Sequence, residues 1–411
     1  MPDKSRSPIG ILPCPGGMVF AQKIFQYLET ISREKFESRV DLLSKTYGID
    51  RSEIVRRINL MEDLQPGRLE SDEPVDAYRT QTTLIPARHT RFPNGELKTE
   101  ILSSIRNMDI YVVQDVANSS PLTFPQSDGP QVLTVNDHFF SLIVTVDAAL
   151  QAGAEKVTVV LPTFPYARQH KKKGRESLSA ARIGQMLENL GVERVITLDI
   201  HSKEIENSFN HMRLENLHGA YQIMKVLSGV IDLKDESLMV VSPDTGGVDR
   251  NKFFASTLGK PLGILYKERD YSRIARDAEN GNITNMKLLG SVAGKTVFMH
   301  DDMLGTGGTL IKAMRVLREN GAEKVIAAAS LPLFTGRAME LLEKAYCEGL
   351  FYRVICTNAV YQGQELLSKE WYLSADVSSL FGRIIYRLHH RASLSSLLDD
   401  RSVIKDLLKR S

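Results

Sequence analysis

Twice in this chain the same five residues close a helical stretch and open an apolar run. They are Gly153-Ala154-Glu155-Lys156-Val157 and Gly321-Ala322-Glu323-Lys324-Val325. Glycine ends a helix by taking a backbone conformation that other residues resist. The runs that follow are short and β-branched, as buried strands are. The same alternation surrounds each copy. Strands are expected at 110–116, 157–161 and 195–199 in the first half, and at 238–242, 262–267, 296–300, 325–331 and 353–357 in the second, with helical spacing between them. Alternation of this kind implies parallel sheets covered by helices on both faces. The expected fold is α/β: two related doubly wound parallel-sheet domains. A chain of 411 residues is long enough for both. The boundary is placed between Gly219 and Lys234, giving domains of about 1–225 and 226–411. The last helix, about Leu380 to His390, is positioned to pack back on the first domain.

The most specific stretch is Val297-Phe298-Met299-His300-Asp301-Asp302-Met303-Leu304-Gly305-Thr306-Gly307-Gly308-Thr309. It reads as a strand ended by two carboxylates, then a glycine-threonine loop, then a helix from about Leu310. Backbone N–H groups at a helix N-terminus favour a phosphate. Two acids beside such a cradle suit a phosphorylated sugar, with the acids on ribose hydroxyls or a metal. Paired acids alone would read as an ordinary strand–turn–helix connection; the Thr-Gly-Gly-Thr that follows makes the phosphate reading far more specific.

Five further motifs accompany it. In chain order they are Phe92-Pro93-Asn94-Gly95-Glu96, Tyr166-Ala167-Arg168-Gln169, Leu198-Asp199-Ile200-His201, Ser242-Pro243-Asp244-Thr245-Gly246-Gly247-Val248-Asp249-Arg250 and Lys267-Glu268-Arg269. Together, from about residue 9 to about residue 400, the six resemble the ribose-phosphate diphosphokinase family, with its phosphoribosyltransferase-like fold. The resemblance implies transfer of the diphosphoryl group of ATP to the 1-hydroxyl of ribose 5-phosphate, giving 5-phosphoribosyl 1-diphosphate and AMP. It implies Mg2+, held by His201 and Asp244. It places Phe92, Asn94, Glu96, Arg168 and Gln169 on ATP. Asp301, Asp302, Thr306, Gly307, Gly308 and Thr309 fall on the ribose phosphate. Lys267 and Arg269 become the catalytic cations of a closing loop. It also implies that the Phe92–Glu96 loop reaches a neighbouring subunit, so a homo-oligomer built on a dimer, up to a hexamer, is expected.

Three departures stand out. Gly305 occupies the position of a usual acid, which implies a weaker grip on the sugar or relaxed specificity. His170 replaces another acid and leads into Lys171-Lys172-Lys173-Gly174-Arg175, either a phosphate-binding cluster or a solvated loop. The stretch from Lys267 to Gly290 is longer than the family's loop. Two rivals follow from these breaks: a catalytically weak or inactive regulatory subunit, and a phosphoribosyltransferase that consumes the diphosphate. Intact Lys267, Arg269 and His201 count against the first, and the whole N-terminal domain counts against the second.

A net charge of +2 gives no general pull towards nucleic acid or an anionic membrane. The apolar runs fall short of a ~20-residue span. Cys14, Cys347 and Cys356 have neither metal nor disulfide spacing, so a reduced cytoplasmic setting is expected. A charged insertion at about 32–80, the Ser- and Pro-rich stretch 118–131 and a mobile tail helix from about Asp399 carry no assigned role.

Overall fold

The computed structural model describes residues 7–63, 82–125, 127, 129–172, 174–269, 283–398 and 401–410. The first half supplies β1 (Ile9–Pro13), β2 (Thr82–Leu84), β3 (Ala87–Arg91), β4 (Leu97–Ile101), β5 (Asp109–Val113), β6 (Lys156–Val160), β7 (Arg194–Leu198) and β8 (Arg213–Leu217). Six of them form an all-parallel sheet ordered β2-β1-β5-β6-β7-β8. The other two, β3 and β4, pair antiparallel as a separate hairpin. The second half supplies β9 (Leu238–Ser242), β10 (Leu262–Arg269), β11 (Ile283–Leu289), β12 (Thr296–Leu304), β13 (Lys324–Pro332), β14 (Arg353–Thr357) and β15 (Tyr372–Ala375). Their sheet runs β11-β10-β9-β12-β13-β14-β15, parallel throughout except for the antiparallel edge β10–β11.

Every strand of the parallel cores is short and nearly all buried, because helices cover both faces. One cluster of buried side chains spans the two halves. Ile9, Ile11, Phe20, Ile24 and Leu28 pack with Leu331, Ala359, Phe381 and Ile385. The helix Ser378–His389 therefore lies on the long helix Met18–Tyr47, with Phe20 and Phe381 edge to face at 5.2 Å.

Three local expectations differ from the structure. The first helix does not stop near Ser32 but continues to Tyr47, where Gly48 closes it in the left-handed region (φ 65°). A second helix, Arg51–Asp63, follows, and residues 64–81 lie outside the described residues. The tail helix, Arg401–Arg410, is docked: Ile404 is fully buried among Ile223, Leu227 and Phe254. Its apolar positions 404, 407 and 408 repeat at helical spacing, which is what lets it lie on a neighbour. Third, β12 does not end at His300. It runs to Leu304, because Asp301 and Met303 still pair with Ala329 and Leu331 of β13.

Candidate active site

The sheets place the motifs before any side chain acts. Arg168 follows β6, His201 follows β7, Asp244 follows β9, and the paired acids lie near the end of β12. Ligands collect at the carboxyl ends of parallel strands, where loops converge and helix N-termini point. Here the carboxyl ends from the two halves meet. A cavity of about 460 Å³ is lined by Arg168 and His201 from the first half, and by Asp244, Asp301 and Asp302 from the second. Gly305, Thr306, Gly307, Thr309 and Thr335 complete its floor. A larger cleft, about 650 Å³, lies at the opposite ends of β5–β8, lined by Asp109, Lys156, Arg194 and Arg213. Its charges largely pair with one another, Arg194 with Glu215 and Lys156 with Glu193, and no sequence motif reaches it.

The glycine-threonine loop behaves as the sequence required. Gly307 is the N-cap of the helix Gly308–Glu319 and sits at φ 78°, a conformation costly for any residue with a Cβ. The first N–H groups of that helix have no helical acceptor, so they are offered to an anion. Beside them, Asn251 clamps β12. Its side-chain amide donates to the His300 carbonyl (2.8 Å) and accepts from the His300 N–H (2.9 Å).

The two acids are adjacent but electrically different. Asp302 accepts from Arg250 (3.0 Å) and meets His201 Nδ1 at 2.5 Å. Burial alone would raise its pKa, but the His201 hydrogen bond and the Arg250 charge outweigh burial and hold it well below the usual carboxylate range. Asp301 is pushed up to about 7, first by burial and then by the neighbouring Asp302. Its nearest cation, Arg250, is 3.9 Å away. The pair thus holds one firmly ionised carboxylate and one that is ready to accept a cation or a hydroxyl.

Behind the acids a polar chain joins the halves. His218 meets Asp199 (2.9 Å), Ser330 donates to Asp199 (2.6 Å), and His300 Nε2 meets the Ser330 hydroxyl (3.1 Å). Burial pushes His300 down to about 4, so it is neutral. Asp199 would be raised by burial, but its bond to His218 outweighs this and lowers it. Neither Arg250 nor this chain was given a role by the sequence. Arg250 closes the Asp244 motif and could have been noticed there. Ser330 lies within an apolar run and gave no signal.

Not every expected residue lines the cavity. Phe92, Asn94 and Glu96 form the turn of the β3–β4 hairpin, where Gly95 donates to the Phe92 carbonyl and Glu96 N–H to the Asn94 side chain. Phe92 is 40% exposed there. The Gln169 amide oxygen accepts from Ser179 (2.7 Å). Lys267 and Arg269 have their backbones on β10, opposite Met286 and Ile283 of β11, with an irregularity between Glu268 and Arg269. The rest of the expected closing loop, 270–282, lies outside the described residues. His170 packs edge to face on His201 at 5.3 Å, tying the Arg168 turn to it. Of the basic cluster, Lys171 pairs with Glu204 (3.0 Å).

Two family models match the chain. One is the N-terminal domain of ribose phosphate pyrophosphokinase, over residues 72–191; the other is the phosphoribosyl transferase domain, over residues 213–365. The ribose-phosphate pyrophosphokinase of Parasynechococcus marenigrum (strain WH8102) is 34% identical over 309 residues, covering 75% of this chain and 84% of that relative. This chain belongs to the ribose-phosphate pyrophosphokinase family. A second family member, ribose-phosphate pyrophosphokinase A of Dictyostelium discoideum, is 32% identical over 311 residues, covering 75% of this chain and 89% of that relative. The crystal structure of phosphoribosylpyrophosphate synthetase from Mycobacterium smegmatis shares the fold, with a TM-score of 0.69 at 22% identity over 94% of this chain and 100% of that one.

Proposed function

We propose that this chain transfers the diphosphoryl group of ATP to the 1-hydroxyl of ribose 5-phosphate, as a ribose-phosphate diphosphokinase. The carrying observation is the single cavity that unites Arg168 and His201 of one half with the Asp301–Thr309 loop of the other. In this reaction the sugar hydroxyl oxygen bonds to the β-phosphorus, the α–β bridge breaks, and AMP leaves with the bridging oxygen. Such transfers depend on positioning and on charge around the transferring group more than on covalent help.

The residues divide accordingly. Loop N–H groups and the hydroxyls of Thr306 and Thr309 hold the 5-phosphate, and Gly307 and Gly308 let the backbone approach it. Asp301 and Asp302 orient the sugar hydroxyls. Arg168 faces the phosphates, and Lys267 and Arg269 bring cations to them from β10 and the segment beyond. Phe92, Asn94 and Glu96 take the adenine, and Gln169 assists from the Arg168 turn.

Mg2+ fits the residues present. Asp244 and Asp301 offer hard oxygen donors, and His201 has one ring nitrogen held by Asp302, which fixes the ring and leaves the other for a metal. No group of three or more such side chains is gathered among the described residues. That matches a Mg2+ held mainly by phosphates and water, with one or two protein ligands. His201 and Asp244 would hold it, and it would neutralise charge on the transferring group.

No helix among the described residues is long and apolar enough to cross a membrane. A cytoplasmic, reducing location belongs to this reading, supported by three cysteines left free. So does a homo-oligomer, because the adenine loop stands on an exposed hairpin away from the cavity.

The test is incubation with ribose 5-phosphate, ATP and Mg2+, followed by nucleotide chromatography. AMP forming in step with phosphoribosyl diphosphate is expected. A folded protein without turnover would instead support the regulatory-subunit reading.

A further inference from the structure

Arg168 is the cation of the cavity that has no protein partner. It makes no hydrogen bond or ion pair among the described residues. The other charges are engaged: Asp302 with His201 and Arg250, and Asp301 with Arg250. Arg168 comes from the first half, yet its guanidinium lies against the second. A Cβ built on Gly305 would stand 3.9 Å from Arg168 Nη2 and 3.6 Å from Thr335 Oγ1. Both are ordinary contact distances. Gly305 is also outside the left-handed region, so neither crowding nor backbone strain requires glycine there. Its carbonyl accepts from the Thr335 N–H (3.2 Å), and the phosphate loop begins at the next residue.

A short acid at this position would reach the guanidinium, since a carboxylate extends about 2.4 Å beyond Cβ by ordinary bond lengths and a close ion pair would follow. Glycine prevents that pairing. A guanidinium left open presents a planar fork of donors suited to phosphate.

We propose that Gly305 is a specificity-setting position: it keeps Arg168 unpaired and against the glycine-threonine loop, so that one guanidinium serves both the sugar-phosphate side and the diphosphate donor. Binding of the two substrates is thereby made interdependent. This rests on the assignment of the cavity to ribose 5-phosphate and ATP.

The test is a double-mutant cycle read by calorimetric binding, which does not need turnover. Gly305→Asp and the uncharged isostere Gly305→Asn are compared in the native chain and in Arg168→Ala, with ATP and ribose 5-phosphate as separate titrants. In the native chain, Gly305→Asp weakens both ligands about tenfold more than Gly305→Asn, a coupling expected of charged neighbours in contact. In Arg168→Ala that difference disappears. Circular dichroism and melting temperature exclude unfolding as the cause. Tighter sugar binding by Gly305→Asp, or weakening that persists without Arg168, overturns the proposal. If native protein binds both substrates but forms no AMP, the activity assignment fails while the Arg168 result still stands or falls by its own cycle.

Discussion

Adjacent carboxylates with opposite partners show how a strand differentiates two identical side chains. Asp302 gains both His201 and Arg250; Asp301 gains only the distant edge of Arg250. At the same scale, Lys267 is the residue on which the charge argument leans most. Lys267→Ala should lower kcat at least ~10²-fold, as loss of one transition-state cation does, with the melting temperature unchanged. Near-native kcat in a folded variant removes Lys267 from the mechanism. A second residue links fold to pH. Asp115 is pushed up to about 7 by burial, against the pull of the N–H groups of Tyr361, Ala117 and Asn118. The native state therefore binds a proton that the unfolded chain releases between its ordinary pKa of 3.8 and about 7. Across that window stability falls as pH rises, by up to about 1.4 kcal/mol per unit. Asp115→Asn keeps an acceptor for those N–H groups and should flatten that slope, measured as melting temperature from pH 5 to 8. An unchanged slope would assign the pH dependence elsewhere.

Among the elements, the tail helix Arg401–Arg410 is the clearest case of packing settling what local pattern left open. Its charged face suits solvent, but Ile404 is fully buried in the second-half core with Leu407 and Leu408 partly covered beside it. Ile404→Ala should lose roughly 2–5 kcal/mol of that docking, as buried isoleucine truncations do. Limited proteolysis reads it directly: the variant's tail should be cut faster while the rest of the chain resists. Equal cleavage rates would mean that the helix is held by something other than Ile404. The β3–β4 hairpin is a contrasting element. It belongs to neither large sheet, and its tip carries the three residues assigned to adenine.

At the scale of the whole molecule, the position of that tip away from the cavity motivates a shared site. If a neighbouring subunit supplies the adenine loop, mixing Glu96→Ala with Lys267→Ala should restore part of the lost activity, because some sites then combine two intact halves. A fully active monomer in sedimentation at assay concentration would exclude this arrangement. Within one chain, the two halves are joined by a common apolar cluster and by the Asp199–Ser330 and Asp115–Tyr361 bonds. The cavity therefore forms between bodies that are fastened behind it.

Much of the parallel-sheet layout was legible in sequence, because buried strands declare themselves as short apolar runs between helical periods. β9 and β14 begin and end where those runs do. The Thr-Gly-Gly-Thr loop was equally legible, since Gly307 needs a conformation that few residues adopt. The end of β12 was not, because acids normally mark a strand's limit and only pairing with β13 carries it on to Leu304. Nor could sequence place Arg250 on Asp302, Ser330 on Asp199, or Arg168 beside Gly305. Those contacts join residues 52, 131 and 137 positions apart, and distances of that kind are set by how two sheets pack, not by any local run of residues.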